Sequence, residues 1–273
     1  MRVFGFDFTG AQENLAKNGG SSVFLANGAD GATEFAHNVV HDLPWKINTA
    51  IDMVPHDNHR YTGASCSVHD NVFHDIALGK PATVTLAGYA MYIACGSDSQ
   101  VYNNLIYREG SVGIHCWHAA DRVFIYNNTI YDAGTGIIVG TGDGGYVSNA
   151  FFVVANNIVA HSRLSIIAES SRPGTISASS EFLNNLLYDN GSDWYYDASG
   201  VNTTITAKMI VRNTLVADPM FVSETRFDFH LRSDSPAIRA GYGPGAPDHD
   251  LDGFARPRGP VDIGAYQGRV NRR

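Results

Sequence analysis

Cysteine is scarce in this chain: three in 273 residues, Cys66, Cys95 and Cys116. An odd trio at that spacing fits neither a disulfide framework nor a zinc motif, so buried free thiols are expected. Positive charge is also short. With 19 Lys and Arg against 27 Asp and Glu, the net charge of -8 disfavours nonspecific binding to nucleic acid or to an anionic membrane. No apolar run reaches the ~18 residues that a spanning helix needs, and the opening MRVFGFDFTGAQ lacks the charged-then-apolar layout of a secretory signal. A soluble chain with no membrane span is expected, and small or polymeric solutes remain as partners. Hydrophobic residues make up 44% of the chain and charged ones 17%, which is enough to bury a large core in one elongated domain or two compact ones.

What the chain does have is a repeat. In FIYNNTIYDAGTGIIVG, residues 124–140, two asparagines separate apolar stretches and a glycine turn follows. With Asn128 as anchor, equivalents stand at Asn38, Asn71, Asn104, Asn157, Asn185 and Asn213, at intervals of 33, 33, 24, 29, 28 and 28 residues. Every residue three before and two after these seven anchors is apolar. Such a register, with insertions confined to glycine-rich segments, is what the stacked coils of a parallel β-helix require, because equivalent side chains of successive coils form columns. Asparagine suits a turn column, since it tolerates the left-handed conformation and its amide can bond to the next asparagine in the stack. The expected fold is all-β, a parallel β-helix of about seven coils.

Rungs of the form I-x-N-N-x-I followed by G-I, as in VFIYNNTIYDAGTGIIVG and VYNNLIYREGSVGIHCW, resemble the right-handed parallel β-helix proteins of the pectate-lyase-like superfamily over residues 21–216. The resemblance implies a single-stranded solenoid and supplies its right hand, which periodicity alone leaves open. That superfamily holds lyases, hydrolases, esterases, epimerases and tailspikes, so the fold does not name the chemistry. The tail, DPMFVSETRFDFHLRSDSPAIRAG and then DLDGFARPRGPVDIGAYQ, resembles over residues 218–267 the closing segment of bacterial extracellular β-helix proteins, including choice-of-anchor Q domain proteins, with Gln267 where Glu is usual. It implies a secreted or cell-surface bacterial protein. The expected organisation is an edge or cap segment over 1–20, the β-helix over 21–216, and a closing segment of the same domain over 217–273. An open stack exposes a sheet edge, so residues 1–20, or chain preceding them, are expected to cover it.

Three residues after each anchor stand His41, His74, Tyr107, Tyr131, Ala160 and Tyr188, and one further on stand Asp42, Asp75, Arg108, Asp132, His161 and Asp189. Aromatic faces beside carboxylates suit sugar rings and hydroxyls, although a solvated turn would carry the same residues. Eight of the eleven histidines fall between residues 37 and 118, and the loop DMVPHDNHRY brings His59 and Arg60 together. In GIHCWHA, strand alternation sends His115 and Trp117 outward and Ile114 and Cys116 inward. β-Elimination at a uronic acid needs a base and a cation to neutralise the carboxylate. The catalytic candidates are therefore His115, Tyr107 and His59 as bases and Arg108 and Arg60 as neutralisers, with Lys46 in reserve. Trp117, His74, Tyr131, Glu109 and Asp75 are the candidate substrate contacts. Hydrolysis would instead need two carboxylates from Asp75, Glu109, Asp132 and Asp143. In DHDLDG, Asp248, Asp250 and Asp252 make the first half of a calcium loop, with Gly259 where a bidentate Glu would close it. Calcium there, the one cofactor expected, would stabilise the tail; a structural turn is the alternative. The expectation is a polysaccharide lyase-like protein acting on a uronate-containing polymer, the alternative a non-catalytic carbohydrate-binding or cell-surface solenoid.

Overall fold

The computed structural model describes residues 1–9, 22–25, 32–44, 49–53, 65–79, 88–96, 98–118, 120–142, 148–170, 175–198, 201–203 and 208–268. Parallel strands stack in three ladders. The first joins Arg2–Phe4, Thr33–Ala36, Cys66–His69, Ser99–Tyr102, Val123–Tyr126, Phe152–Ala155, Glu181–Leu183 and Ile210–Arg212, eight rungs in sequence order. The second begins at Asp7–Thr9, runs through Val39–Pro44 and Val72–Leu78, and ends at Leu215–Val216. The third contains Thr49–Met53, Tyr89–Ile93, Leu164–Ser170 and Trp194–Ala198. Two long strands, Leu105–Cys116 and Thr129–Thr141, bend across the second and third ladders, and their register shifts between Glu109 and Val112.

Apolar columns make the core. Phe35, Val68, Val101, Ile125, Val154 and Phe182 follow one another in the first ladder, and Val40, Phe73, Ile106, Ile130, Val159 and Leu187 in the second. All twelve are at most 1% exposed. Each buried side chain of this size contributes about 1.5–3 kcal/mol. The first rung, Val3 against Phe35 and Phe8 against Val40, already lies in the segment expected as edge or cap.

The paired asparagines divide two tasks that sequence reasoning gave to one residue. The first of each pair takes the left-handed conformation: Asn103, Asn127, Asn156 and Asn184 have φ between 51° and 59°, a region costly for most residues and tolerated by asparagine. The second forms the ladder. Asn38, Asn71, Asn104, Asn128 and Asn157 each donate Nδ2 to the Oδ1 of the next rung, at 2.9–3.2 Å. The seventh expected anchor is out of register by one. Asn213 has φ 55° and pairs with Asn184, so Thr214 occupies the ladder position and Val211 and Val216 the apolar columns. The turn's demand for a left-handed residue decides the alignment.

The closing segment folds back along the coil and is held by the first asparagines. Their Nδ2 groups donate to tail carbonyls: Asn103 to His249, Asn127 to Asp262 and Gly264, Asn156 to Tyr242, Asn184 to Ala240. Phe221, Phe229, Leu231 and Ile263 pack on Leu105, Ile158 and Leu186 from the outer face of the second ladder. Within the tail, His230 is clamped between Asp228, 2.6 Å from Nδ1, and Asp252, 2.9 Å from Nε2, with Tyr266 against its ring. Burial works against the charged ring, but the two carboxylate bonds outweigh it and the pKa of His230 is raised; Asp228, near Arg226 as well, is lowered despite its own burial. A raised pKa means that the clamp stabilises fully below the ordinary value near 6.5 and fades as pH rises through the folded value. The clamp is about one-third exposed, so screening limits it to about 1 kcal/mol. The wild type is expected to lose about 2–4 °C of melting temperature relative to His230→Gln between mildly acidic and mildly alkaline pH, measured by calorimetry.

Cys66 and Cys95 form a disulfide, their Cα atoms 5.9 Å apart, and only Cys116 is free and buried. This corrects the expectation of three free thiols: the two cysteines lie far apart in sequence, yet successive rungs bring their Cα atoms within bridging distance. No helix among the described residues is long and apolar enough to cross a membrane.

Candidate functional site

The outer face of the third ladder gathers the most unusual side chains. Ile51, Met91, Ile114, Ile137 and Ile166 point into the core, so the next residues, Asp52, Tyr92, His115, Ile138 and Ile167, form a column on the outside. Ile114 and Cys116 are fully buried in the core, while the His115 and Trp117 rings lie on the outside with centroids 5.8 Å apart. Tyr89 and Tyr92 on the adjacent rung wall the imidazole at 5.0 and 4.9 Å, and His118 meets Tyr92 at 5.7 Å. Val112, Ile138 and Ile167 complete an apolar patch around Tyr89.

His115 faces outward without being open to solvent: it is 5% exposed, and among the described residues neither ring nitrogen has a hydrogen-bond partner. Burial, with the nearby His118 charge, pushes its pKa down to about 3, so the imidazole is neutral at physiological pH. The Tyr89 hydroxyl is raised to about 12 by burial and by Glu169 and Glu109. The Trp117 ring packs against the next rung. A Cβ at Gly140 would come within 2.7 Å of its ring, and one at Gly142 would overlap it, which explains two glycines at a strand end. The sequence reading missed Tyr89 and Tyr92, because only the stacking of rungs brings them beside His115.

The remaining candidates are not brought to this face. The aromatic column of the second ladder is a stack: His74 sits 4.9 Å from both His41 and Tyr107, and its Nδ1 contacts Asp75 at 2.7 Å. Tyr107 and Tyr131 are covered by the closing segment, through Phe227 and Phe229 on the former and Phe221 and Phe229 on the latter, so they offer no sugar platform. The Tyr131 hydroxyl donates to Glu224. Arg108 is paired with Asp75 at 2.9 Å and lies over Phe227. Asp42, Asp75, Arg108, Asp132, His161 and Asp189 all have φ of 47–55°, which makes that column the next turn of the coil. Glu109 is in register with the core residues Ile76 and Ala133, and it is buried with Oε2 accepting the Ser111 N–H, not displayed to substrate. His59, Arg60, Lys46 and Asp143 lie outside the described residues.

The three tail aspartates diverge. Asp250 is 1% exposed and accepts the N–H groups of Phe254 and Gln267, Asp252 bonds His230, and Asp248 bonds His249. Each is held by partners within the tail itself. The one group of three His, Cys, Asp or Glu residues with metal-ligand spacing among the described residues is His37, His69 and Asp70.

A search of curated proteins finds no match. A family model described as right handed beta helix region matches residues 48–216, more than half of the chain and most of its stacked rungs. With the parallel ladders, the asparagine column and this match in agreement, the chain belongs to the right-handed beta helix family.

Proposed function

We propose that the protein is an exported, carbohydrate-active solenoid that takes a polysaccharide across the outer face of its third ladder and is lyase-like toward a uronate-containing polymer. His115 carries the reading: a buried, neutral imidazole with neither nitrogen partnered among the described residues, walled by Tyr89, Tyr92 and Trp117. Leaving such a group unpaired costs about 1–3 kcal/mol, a cost that a ligand hydroxyl would remove. Sugars present an apolar face to aromatic rings and hydroxyls that both donate and accept, which complements a neutral imidazole. An anionic uronate beside the ring would raise its basicity, as a base for elimination requires. Arg60 is the expected neutralising cation, since Arg108 is paired with Asp75. The Cys66–Cys95 disulfide supports an oxidising compartment.

That same commitment of Arg108 favours a second reading, a non-catalytic saccharide-binding solenoid on the same face. Incubation with pectate, alginate and glycosaminoglycans, with and without calcium, separates the two by the ultraviolet absorbance of unsaturated products. A rise on one polymer that Arg60→Ala abolishes is the expected result. Silence on every polymer, together with retarded migration in gels containing one of them, would replace the lyase by the binder.

A further inference from the structure

The turn between the first and second ladders changes character in its early rungs. Where later rungs carry Asn103, Asn127, Asn156 and Asn184, these carry His37 and Asp70, both also at positive φ. Asp70 is buried, and its Oδ2 is the meeting point of three imidazoles. His69 Nδ1 lies 2.7 Å away, His249 Nε2 of the closing segment 3.0 Å, and His37 Nε2 3.8 Å. The ligand atoms of His37, His69 and Asp70 all lie within 4.8 Å of one another. Behind two of the rings stand further carboxylates: Glu34 meets His69 Nε2 at 3.0 Å, and Asp248 meets His249 Nδ1 at 2.7 Å. A carboxylate on the far nitrogen fixes the tautomer that turns an unprotonated nitrogen toward an ion, the usual outer support of a metal-binding histidine.

We propose that His37, His69 and Asp70, with His249 of the closing segment on the same carboxylate oxygen, form a binding site for a divalent transition ion of the zinc type, which fastens the closing segment to the coil. Ligands about 2.0–2.1 Å from a tetrahedral ion stand about 3.3 Å apart, and the three separations from Asp70 Oδ2 bracket that value. Imidazoles with one carboxylate suit zinc, copper or nickel over calcium or magnesium, which prefer all-oxygen shells. Asp70, Glu34 and Asp248 supply the negative charge to offset a dication. His37 is the informative member: its side chain is 56% exposed and its ring is not needed to fill Asp70, which His69, His249 and Asn103 already serve.

The test uses the full chain without a histidine tag, stripped with chelator and titrated with Co2+ and Zn2+. One ion per chain is expected, with the visible absorption of four-coordinate Co2+ displaced by Zn2+ and a Zn2+-dependent rise of about 5 °C in melting temperature at 100-fold excess over Kd. His37→Asn installs the residue type of the later rungs at an exposed position, so it retains the fold and should weaken binding at least tenfold. His249→Asn should weaken it likewise and remove the thermal shift. No uptake at one equivalent would overturn the proposal, as would uptake that both variants leave unchanged.

Discussion

Replacing Arg256 by methionine is expected to lower the unfolding free energy by about 3–5 kcal/mol, the cost of breaking a buried charge network from one side. Arg256 is 7% exposed. Its NH2 donates to Asn103 Oδ1 and to the carbonyls of Gly264 and Ala265, its Nε to the His249 carbonyl, and its NH1 to Gln267 Oε1, over 2.9–3.3 Å. Burial lowers its pKa to about 10, while Asp250, Asp262 and Asp70 pull the other way. Methionine fills much of the volume but leaves buried Asp250 and Asp262 without a counter-charge and several carbonyls without donors. Lysine is not expected to rescue, because three donors on one nitrogen cannot span a fork of this width. Urea denaturation followed by limited proteolysis checks this: the variant should lose the closing segment to protease at urea concentrations where the wild type is intact. A wild-type midpoint for Arg256→Met would mean that the tail is not fastened through this residue.

Asn128→Ala is the second large expected effect, about 2–4 kcal/mol. Oδ1 of Asn128 accepts from the backbone and side-chain amides of Asn104, and its Nδ2 donates to Val101 and Tyr126 carbonyls and to Asn157 Oδ1, all between 2.9 and 3.1 Å. Truncation strands at least two buried polar groups at about 1–3 kcal/mol each. Asn213→Ala is the matched control. It removes the same side chain from the last rung, but at the exposed turn position, and should cost no more than about 1 kcal/mol. Equal losses from the two substitutions, measured by thermal denaturation, would contradict the division of labour between the two asparagines of each pair.

The coil was legible because its physics is local and repeated. An apolar residue three before and two after an asparagine reports a core column wherever it recurs, and six of the seven copies fall in register. The slip at Asn213 arose because one asparagine had to stand for two positions. What the repeat could not show is where the non-repeating tail goes. Phe221, Phe227 and Phe229 are plain in the sequence, but no period ties them to Tyr107 and Tyr131, so a covered column was read as an open one. One local signal went unused. The dipeptide His-Asp at 41–42, 69–70 and 74–75, and its reverse at 248–249, places Nδ1 2.7 Å from the neighbouring carboxylate each time. Three of these four histidines meet a second carboxylate through Nε2, at Asp7, Glu34 and Asp70.

His115→Leu tests the account most directly, because stability and function are predicted to move apart. Leucine matches the apolar Ile138 and Ile167 of the same column and removes two unpaired buried nitrogens, so the melting temperature should hold or rise. Affinity electrophoresis against the polysaccharide that retards the wild type should show retardation lost in His115→Leu and kept in Tyr131→Phe, whose ring lies under the tail. Retention of binding by His115→Leu, or its loss in Tyr131→Phe alone, would contradict the assignment of the third ladder as the saccharide face.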